Sequence, residues 1–337
     1  MTARAIIMAS ALSAAASVAH AQGEVTLRGE RKPLQSSTLT VSSHGVTLES
    51  EPGSVITWDR IKYLDHNDWP AYTSIAQDAW RARARFDRGE IVLAAPLFEA
   101  LFDTYRNDPG PMQAFAARGH RACLVALGMH DDAIEPMLLA HAADPSERFV
   151  SDASMPQPIW LTGNAPDLSA SLDSESELAR LFAVAARFER EGTAHTPEQT
   201  DDRSIGPLRD VVAARTSDDP SVRSNARERL VLDADRHAGT WREARARLAI
   251  ARSLLREPGR DQRHLATIEL AHVSARFRSA APRLASIAFA ELIRLTERET
   301  STPGSTQTLR ASLSRVPGSA FAQRWIDEHP QPNEPES

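Results

Sequence analysis

Four stretches of the chain repeat one spacing of small and large residues, and that spacing restricts the fold more than any other feature. The first reads Gly89-x4-Ala94-x3-Phe98-x2-Leu101. The second reads Gly128-x4-Ala133-x3-Met137-x2-Ala140, and the third Gly239-x4-Ala244-x3-Leu248-x2-Ala251. A fourth has alanine at the turn, Ala280-x4-Ala285-x3-Phe289-x2-Leu292. Glycine permits a tight turn whose backbone a side chain opposes. The alanine lets two helices approach, and the large apolar residue one turn later fills the gap between hairpins. The pattern predicts a mainly α chain built from α-α hairpins.

This frame resembles the second half of the tetratricopeptide repeat, which carries a turn glycine, a small alanine, a phenylalanine-like position, another alanine and a terminal proline. Pro145, beyond Ala140, matches the last of these. The turns at residues 89, 128, 239 and 280 stand further apart than the family's period of about 34 residues. The first-helix tryptophan and tyrosine positions are not matched. The resemblance covers residues 73–145 and 222–297. It implies a divergent tetratricopeptide-like solenoid, an architecture whose concave faces bind partners.

Helical periodicity runs beyond the frame. Ile75, Ala79, Ala82 and Phe86 form one stripe, and Trp241, Ala244, Leu248, Ala251 and Leu255 another. Leu178, Leu181, Phe182, Ala185 and Phe188 predict a further amphipathic helix, and a last hairpin is expected around 306–328. Ser74 with Gln77, Ser174 with Glu177 and Thr240 with Glu243 have capping-box spacing. Pro96 and Pro136 should kink or delay the helices they enter. Proline-rich residues 146–172 read as a linker in which Ile159, Trp160 and Leu161 are apolar enough to be buried. The second helical repeat region then spans 173–328, and the proline-rich acidic tail 329–337 is expected to be disordered.

The N-terminus has the three parts of an export signal. Arg4 supplies the charge, Ala5 to Val18 a short apolar run, and Ala19-His20-Ala21 a small-residue cleavage site. Residues 1–21 therefore read as a signal peptide, with Gln22 as the mature N-terminus. The expected location is periplasmic or extracellular. No later stretch has the ~20 apolar residues that span a bilayer.

Residues 22–66 alternate with period two between turn signals, before helical repeats begin over 67–145. Val25–Leu27, Thr38–Val41, Val46–Leu48, Val55–Trp58 and Ile61–Leu64 read as five short strands. The pattern resembles a small SH3-like or Sm-like barrel. A module of ~40 residues rarely stands alone, so Trp58 and Trp69 are expected to dock it onto the helices that follow.

Composition narrows the chemistry. Lys+Arg is 39 against 45 Asp+Glu, a net charge of -6, so a nucleic-acid partner is not expected. Lys32 and Lys62 are the only lysines, and Cys123 is the only cysteine. One thiol makes no internal disulfide and no cysteine-based zinc site. Phosphate-loop, HExxH, GxSxG and GxGxxG motifs are all missing.

The remaining polar residues have structural readings. Cys123 follows His120 by one turn but shares a stripe with Met112, Phe115, Gly119 and Ala126, which points to core packing. His120, His130, His141, His264 and His272 lack the i, i+4 spacing of a helical metal pair. His272 shares a stripe with Leu265, Ile268 and Ala275 and reads as a hydrogen-bonded, partly buried side chain. Asp131-Asp132 fits a helix start, and Asp201-Asp202 a polar break.

Neither a metal nor another cofactor is expected. The candidate partner-binding residues are Arg81, Arg85 and Arg88, at i, i+4 and i+7 on the first helix, where they can receive carboxylates or pair with local acids. The sequence thus points to an exported, non-enzymatic interaction or scaffold protein whose partner is another envelope or periplasmic protein. Alternatives are an exported hydrolase-type enzyme with a divergent site and a structural envelope component.

Overall fold

The computed structural model describes residues 21–49, 53–143, 156–193, 205–299 and 303–329. The expected signal peptide, apart from Ala21, lies outside them, as do Pro145, Asp201, Asp202 and tail residues 330–337. The chain divides into two compact units. One comprises Met1–Leu127 and Glu135–Asp144, the other Gly128–Ile134 and Pro145–Ser337.

The first unit begins with five antiparallel strands: β1 (Ala21–Leu27), β2 (Leu34–Ser42), β3 (Gly45–Leu48), β4 (Val55–Thr57) and β5 (Ile61–Leu64). Their order is β4-β3-β2-β1-β5. The first half of β2 pairs with β1, matching Leu34 to Val25, and its second half pairs with β3, matching Val41 to Val46. Two three-stranded halves therefore share β2. Alternation puts Val25, Leu27, Leu39, Val46, Leu48 and Ile56 inside.

The expected barrel-like closure is not present, because β4 and β5 stand at opposite ends of this order without pairing. The cause is local. Strand β4 has only three residues and passes directly into a single 3-10 turn, Trp58–Arg60. Helices cover this end of the sheet. Helix α1 (Trp69–Asp87) packs on the turn and on β5, and α3 (Pro111–Ala126) packs on β4. Trp58 docks the sheet as expected. It is fully buried, stacks on Tyr72 of α1 at 4.5 Å, and donates from Nε1 to the Ser43 carbonyl at 2.9 Å. Trp69 lies 6.3 Å from the same ring.

Helices α2 (Ile91–Tyr105) and α4 (Ile134–Ala143) belong to the first two hairpin frames. Pro136 falls in the first turn of α4, where a backbone donor is not needed. Pro96 sits inside α2 on its exposed side.

The second unit is helical: α5 (Glu177–Glu191), α6 (Gly206–Thr216), α7 (Pro220–Arg236), α8 (Trp241–Leu254), α9 (Arg260–Arg276), α10 (Pro282–Glu299), α11 (Pro303–Leu313) and α12 (Ala320–Glu328). Each helix from α5 to α10 packs on its successor, and α8 also touches α6 and α10. Ile159, Trp160 and Leu161 are buried, as their apolar character predicts. The Trp160 ring meets Phe182 edge-on at 6.0 Å.

The first three frames share a left-handed turn that the fourth, with Ala280 in place of glycine, does not, while all four share their buried positions. Gly89, Gly128 and Gly239 have φ of +75, +78 and +80°. Ala94, Ala133, Ala244 and Ala285 are all 0% exposed, and Phe98, Met137, Leu248 and Phe289 are buried.

Two capping expectations need correction. Ser74 lies inside α1, which starts earlier because Pro70 suits a first turn and Trp69 and Tyr72 must face Trp58. Helix α5 is capped by Ser176, whose side chain accepts from the Ala179 N–H, while Ser174 supports Ser176. Thr240 does cap α8, and Glu243 reaches back to the Gly239 N–H at 2.6 Å.

The α9 stripe is also corrected. Leu265, Ile268 and Ala275 face outward, while Ala266, Leu270, Val273 and Phe277 are buried. Two adjacent apolar stripes run along this helix, and the one carrying Ala266, Leu270 and Val273 is buried, where α8 and α10 pack on α9.

Candidate functional site

The 3-10 turn after β4 positions the first element of a groove in the first unit. With Trp58 anchored inward, Asp59 lies under the surface and Arg60 points to solvent. The Asp59 carboxylate accepts from Thr57 Oγ1 at 2.6 Å and from Arg83 Nη1 at 2.7 Å. A buried carboxylate needs such donors. The hydrogen bond to Asp59 raises the pKa of Arg83 and fixes its guanidinium, which stays half exposed, beside the groove.

Aromatic rings form the floor. Phe98 of α2 meets Phe86 edge-on at 6.2 Å and Phe115 of α3 at 5.6 Å. Phe98 lies directly across Gly119, where any Cβ would fall 2.0 Å from its ring. Helix α3 also brings Arg118 and Arg121 to the wall. The resulting space has a volume of about 640 Å³. Among the described residues, its charged lining is Arg60, Arg83, Arg118, Arg121 and Asp59. The arrangement sets an aromatic surface beside guanidinium groups.

Arg81, Arg85 and Arg88 do not line this groove. Arg81 pairs with Asp78 at 3.3 Å, and Arg85 donates to the Leu93 carbonyl at 3.1 Å. Arg88 forks onto Glu90 at 2.9 and 3.1 Å, which raises the Arg88 pKa. Their stripe is one face of α1, and Arg83 stands on another. What singles out Arg83 is Asp59, 24 residues earlier. The sequence signal for α3 was the run Phe115, Arg118 and Arg121, one aromatic and two cations on one helical face.

The other polar residues take supporting positions. Cys123 is fully buried, and burial pushes its pKa up to about 11. His120 stacks on Phe102 at 5.2 Å. Burial and the nearby Arg283 lower the His130 pKa, although Asp131 opposes the shift. Asp131 accepts from Trp160 Nε1 at 3.0 Å and pairs with Arg283. His272 faces Glu243 at 3.2 Å. Among the described residues no group of three His, Cys, Asp or Glu side chains gathers as a metal set.

The second unit holds a buried ionic network. Glu189 accepts from Arg215 Nε at 2.7 Å and Thr162 Oγ1 at 2.9 Å, and meets Arg252 at 3.1 Å. Arg252 also pairs with Glu291 at 2.7 Å and donates to the Trp160 carbonyl. Desolvation opposes ionisation of Glu189, but the two guanidinium groups win and hold its pKa at about 2.

No helix among the described residues is long and apolar enough to cross a membrane. Comparison with known protein families, curated proteins and solved structures finds no match to this chain.

Proposed function

We propose that this chain is an exported, non-enzymatic interaction protein of the cell envelope, and that the groove beside Asp59 receives an extended segment of a partner protein. The observation that carries this is the groove itself: a phenylalanine floor rimmed by polar side chains, in a space larger than any single side chain fills. Chain segments dock where apolar pockets and polar rims are combined.

We also propose a divergent tetratricopeptide-like hairpin array headed by an SH3-like module. The left-handed glycines of the first three hairpin frames and the buried alanines of all four support the first part. The strand order and the 3-10 turn between β4 and β5 support the second.

A hydrolase would need an acid, base or nucleophile tuned towards neutrality. Glu189, held at about 2, and Cys123, pushed up to about 11, both move away from it.

The test is co-purification of the tagged chain from its own envelope, beside a variant carrying Arg60→Glu and Arg118→Glu. The expected result is a stoichiometric protein partner that the folded double variant loses. A partner retained equally by the variant, or no partner at all, overturns the proposal.

A further inference from the structure

Among the described helices of the second unit, the large apolar side chains left exposed stand on α7 and α9. They are Val231 and Leu232 on α7, and Leu265 and Ile268 on α9, between 45% and 56% exposed. The outward stripe of α9 continues through Ala271 and Ala275, both exposed. A helix that meets water on its outer side normally carries charge there, and one that is apolar on two sides is covered on both.

The two faces adjoin because both helices pack on α8. Arg227, one turn before Val231, donates to Ser253 Oγ of α8 at 2.9 Å. Glu269, one turn after Leu265, accepts from Arg247 Nη1 of α8 at 3.0 Å, and His272, one turn after Ile268, faces Glu243 of α8 at 3.2 Å. Val231, Leu265 and Ile268 therefore stand on the flanks by which α7 and α9 meet α8.

The charges beside the two apolar faces are opposite in sign. Glu228 and Asp235 bracket Val231 and Leu232, whereas Arg260, Arg263 and His264 precede Leu265, and all five are exposed. Among the described residues no ion pair holds Asp235, Arg260, Arg263 or His264. Glu228 acts only on Arg229, which Asp210 already holds at 2.7 Å. Local electrostatics do not account for these charges either. Asp235 stands in the last turn of α7, where a helix disfavours an acid, and Arg260 and Arg263 stand in the first turn of α9, where it disfavours a base. The two free charges of the other sign, Arg236 in the last turn of α7 and Asp261 in the first turn of α9, do suit their own helix ends.

We infer that α7 and α9 form an interface with a second copy of this chain. The acid-flanked face of α7 in one copy meets the base-flanked face of α9 in the other, and symmetry repeats the contact in reverse. One chain carries both complementary halves, which is what a two-fold interface requires. The contact covers all four apolar side chains and gives the wrong-signed acid and bases their partners.

Sedimentation velocity of the full chain over a concentration series tests this. A monomer–dimer equilibrium is expected, weakened by added salt. Val231→Asp and Ile268→Asp should each raise the dimer dissociation constant at least about tenfold, the equivalent of part of one buried side chain. Both should keep the far-UV circular dichroism of the natural chain, and Val231→Ser and Ile268→Ser replace them if the added charge unsettles a helix. Asp235→Arg should weaken the dimer, and adding Arg263→Asp should restore part of the loss. A chain that stays monomeric throughout overturns the inference, as does a dimer that neither apolar variant weakens. A dimer indifferent to Asp235→Arg overturns the pairing of α7 with α9.

Discussion

The ring of Phe98 lies against Gly119, so close that a Cβ at Gly119 would sit 2.0 Å from one ring carbon and 2.4 Å from another. This contact lets α2 and α3 approach and sets the aromatic floor of the groove. Replacing glycine by alanine inside a helix ordinarily gains up to ~1 kcal/mol. Here overpacking costs ~1–3 kcal/mol and outweighs that gain. Gly119→Ala should therefore lower the melting temperature by several degrees, and adding Phe98→Leu should recover part of the loss. A more stable Gly119→Ala protein would contradict the packing described.

Gly128 is a different case. Its φ is +78°, yet no atom lies within 4 Å of where its Cβ would be. Only backbone strain opposes a side chain, which costs ~1–2 kcal/mol for alanine. Thermal denaturation should rank Gly128→Asn closest to the natural chain, then Gly128→Ala, then the β-branched Gly128→Val. An unchanged melting temperature for Gly128→Val would show that the turn is not left-handed.

Glu189 makes the second unit acid-sensitive. Its folded pKa of about 2 lies below the ordinary 4.5, so its contribution is present above the ordinary value and is lost as the pH falls towards 2. That shift corresponds to about 3 kcal/mol. Glu189→Gln should cost a comparable ~3–5 kcal/mol at neutral pH, because Arg215 and Arg252 would be left buried without their shared anion. It should also flatten the acid limb of a denaturation series. An unaltered acid limb in the variant would assign the pH response to other groups.

Cys123 should be inert in the folded protein. Burial removes access and holds the thiol protonated at neutral pH, with a pKa of about 11. A thiol reagent should titrate no sulfhydryl in native protein and one in denaturant. Rapid labelling of the native chain would place Cys123 on a surface.

The hairpin frame and the strands were legible in the sequence because both are local patterns. Left-handed glycines leave a residue-type signature, and so does a period-two run between turns. The groove was not legible, because its parts meet only after folding. Asp59 and Arg83 are 24 residues apart, and Phe98 covers Gly119 from a different helix. The arginine stripe of Arg81, Arg85 and Arg88 was visible as a periodicity, but only tertiary contact shows that the buried acid is met by Arg83. On α9, spacing placed Leu265 and Ile268 on one stripe with His272. The neighbouring stripe, with Ala266 and Leu270, is the one buried. Sheet closure failed as an expectation for a related reason. A three-residue strand followed by an anchoring tryptophan is committed to the helices before it can meet β5.

The central claim is that a partner chain occupies the groove lined by Phe98, Phe115 and Arg118. It is tested most directly by placing a photo-crosslinking amino acid at Pro111, which is exposed on the groove wall, and at Val231, which is exposed on α7 in the other unit. Irradiation of living cells should yield a discrete protein adduct through position 111 that Arg60→Glu abolishes, and none of that adduct through position 231. The same adduct through 231 alone, or one through 111 that survives Arg60→Glu, would contradict the account.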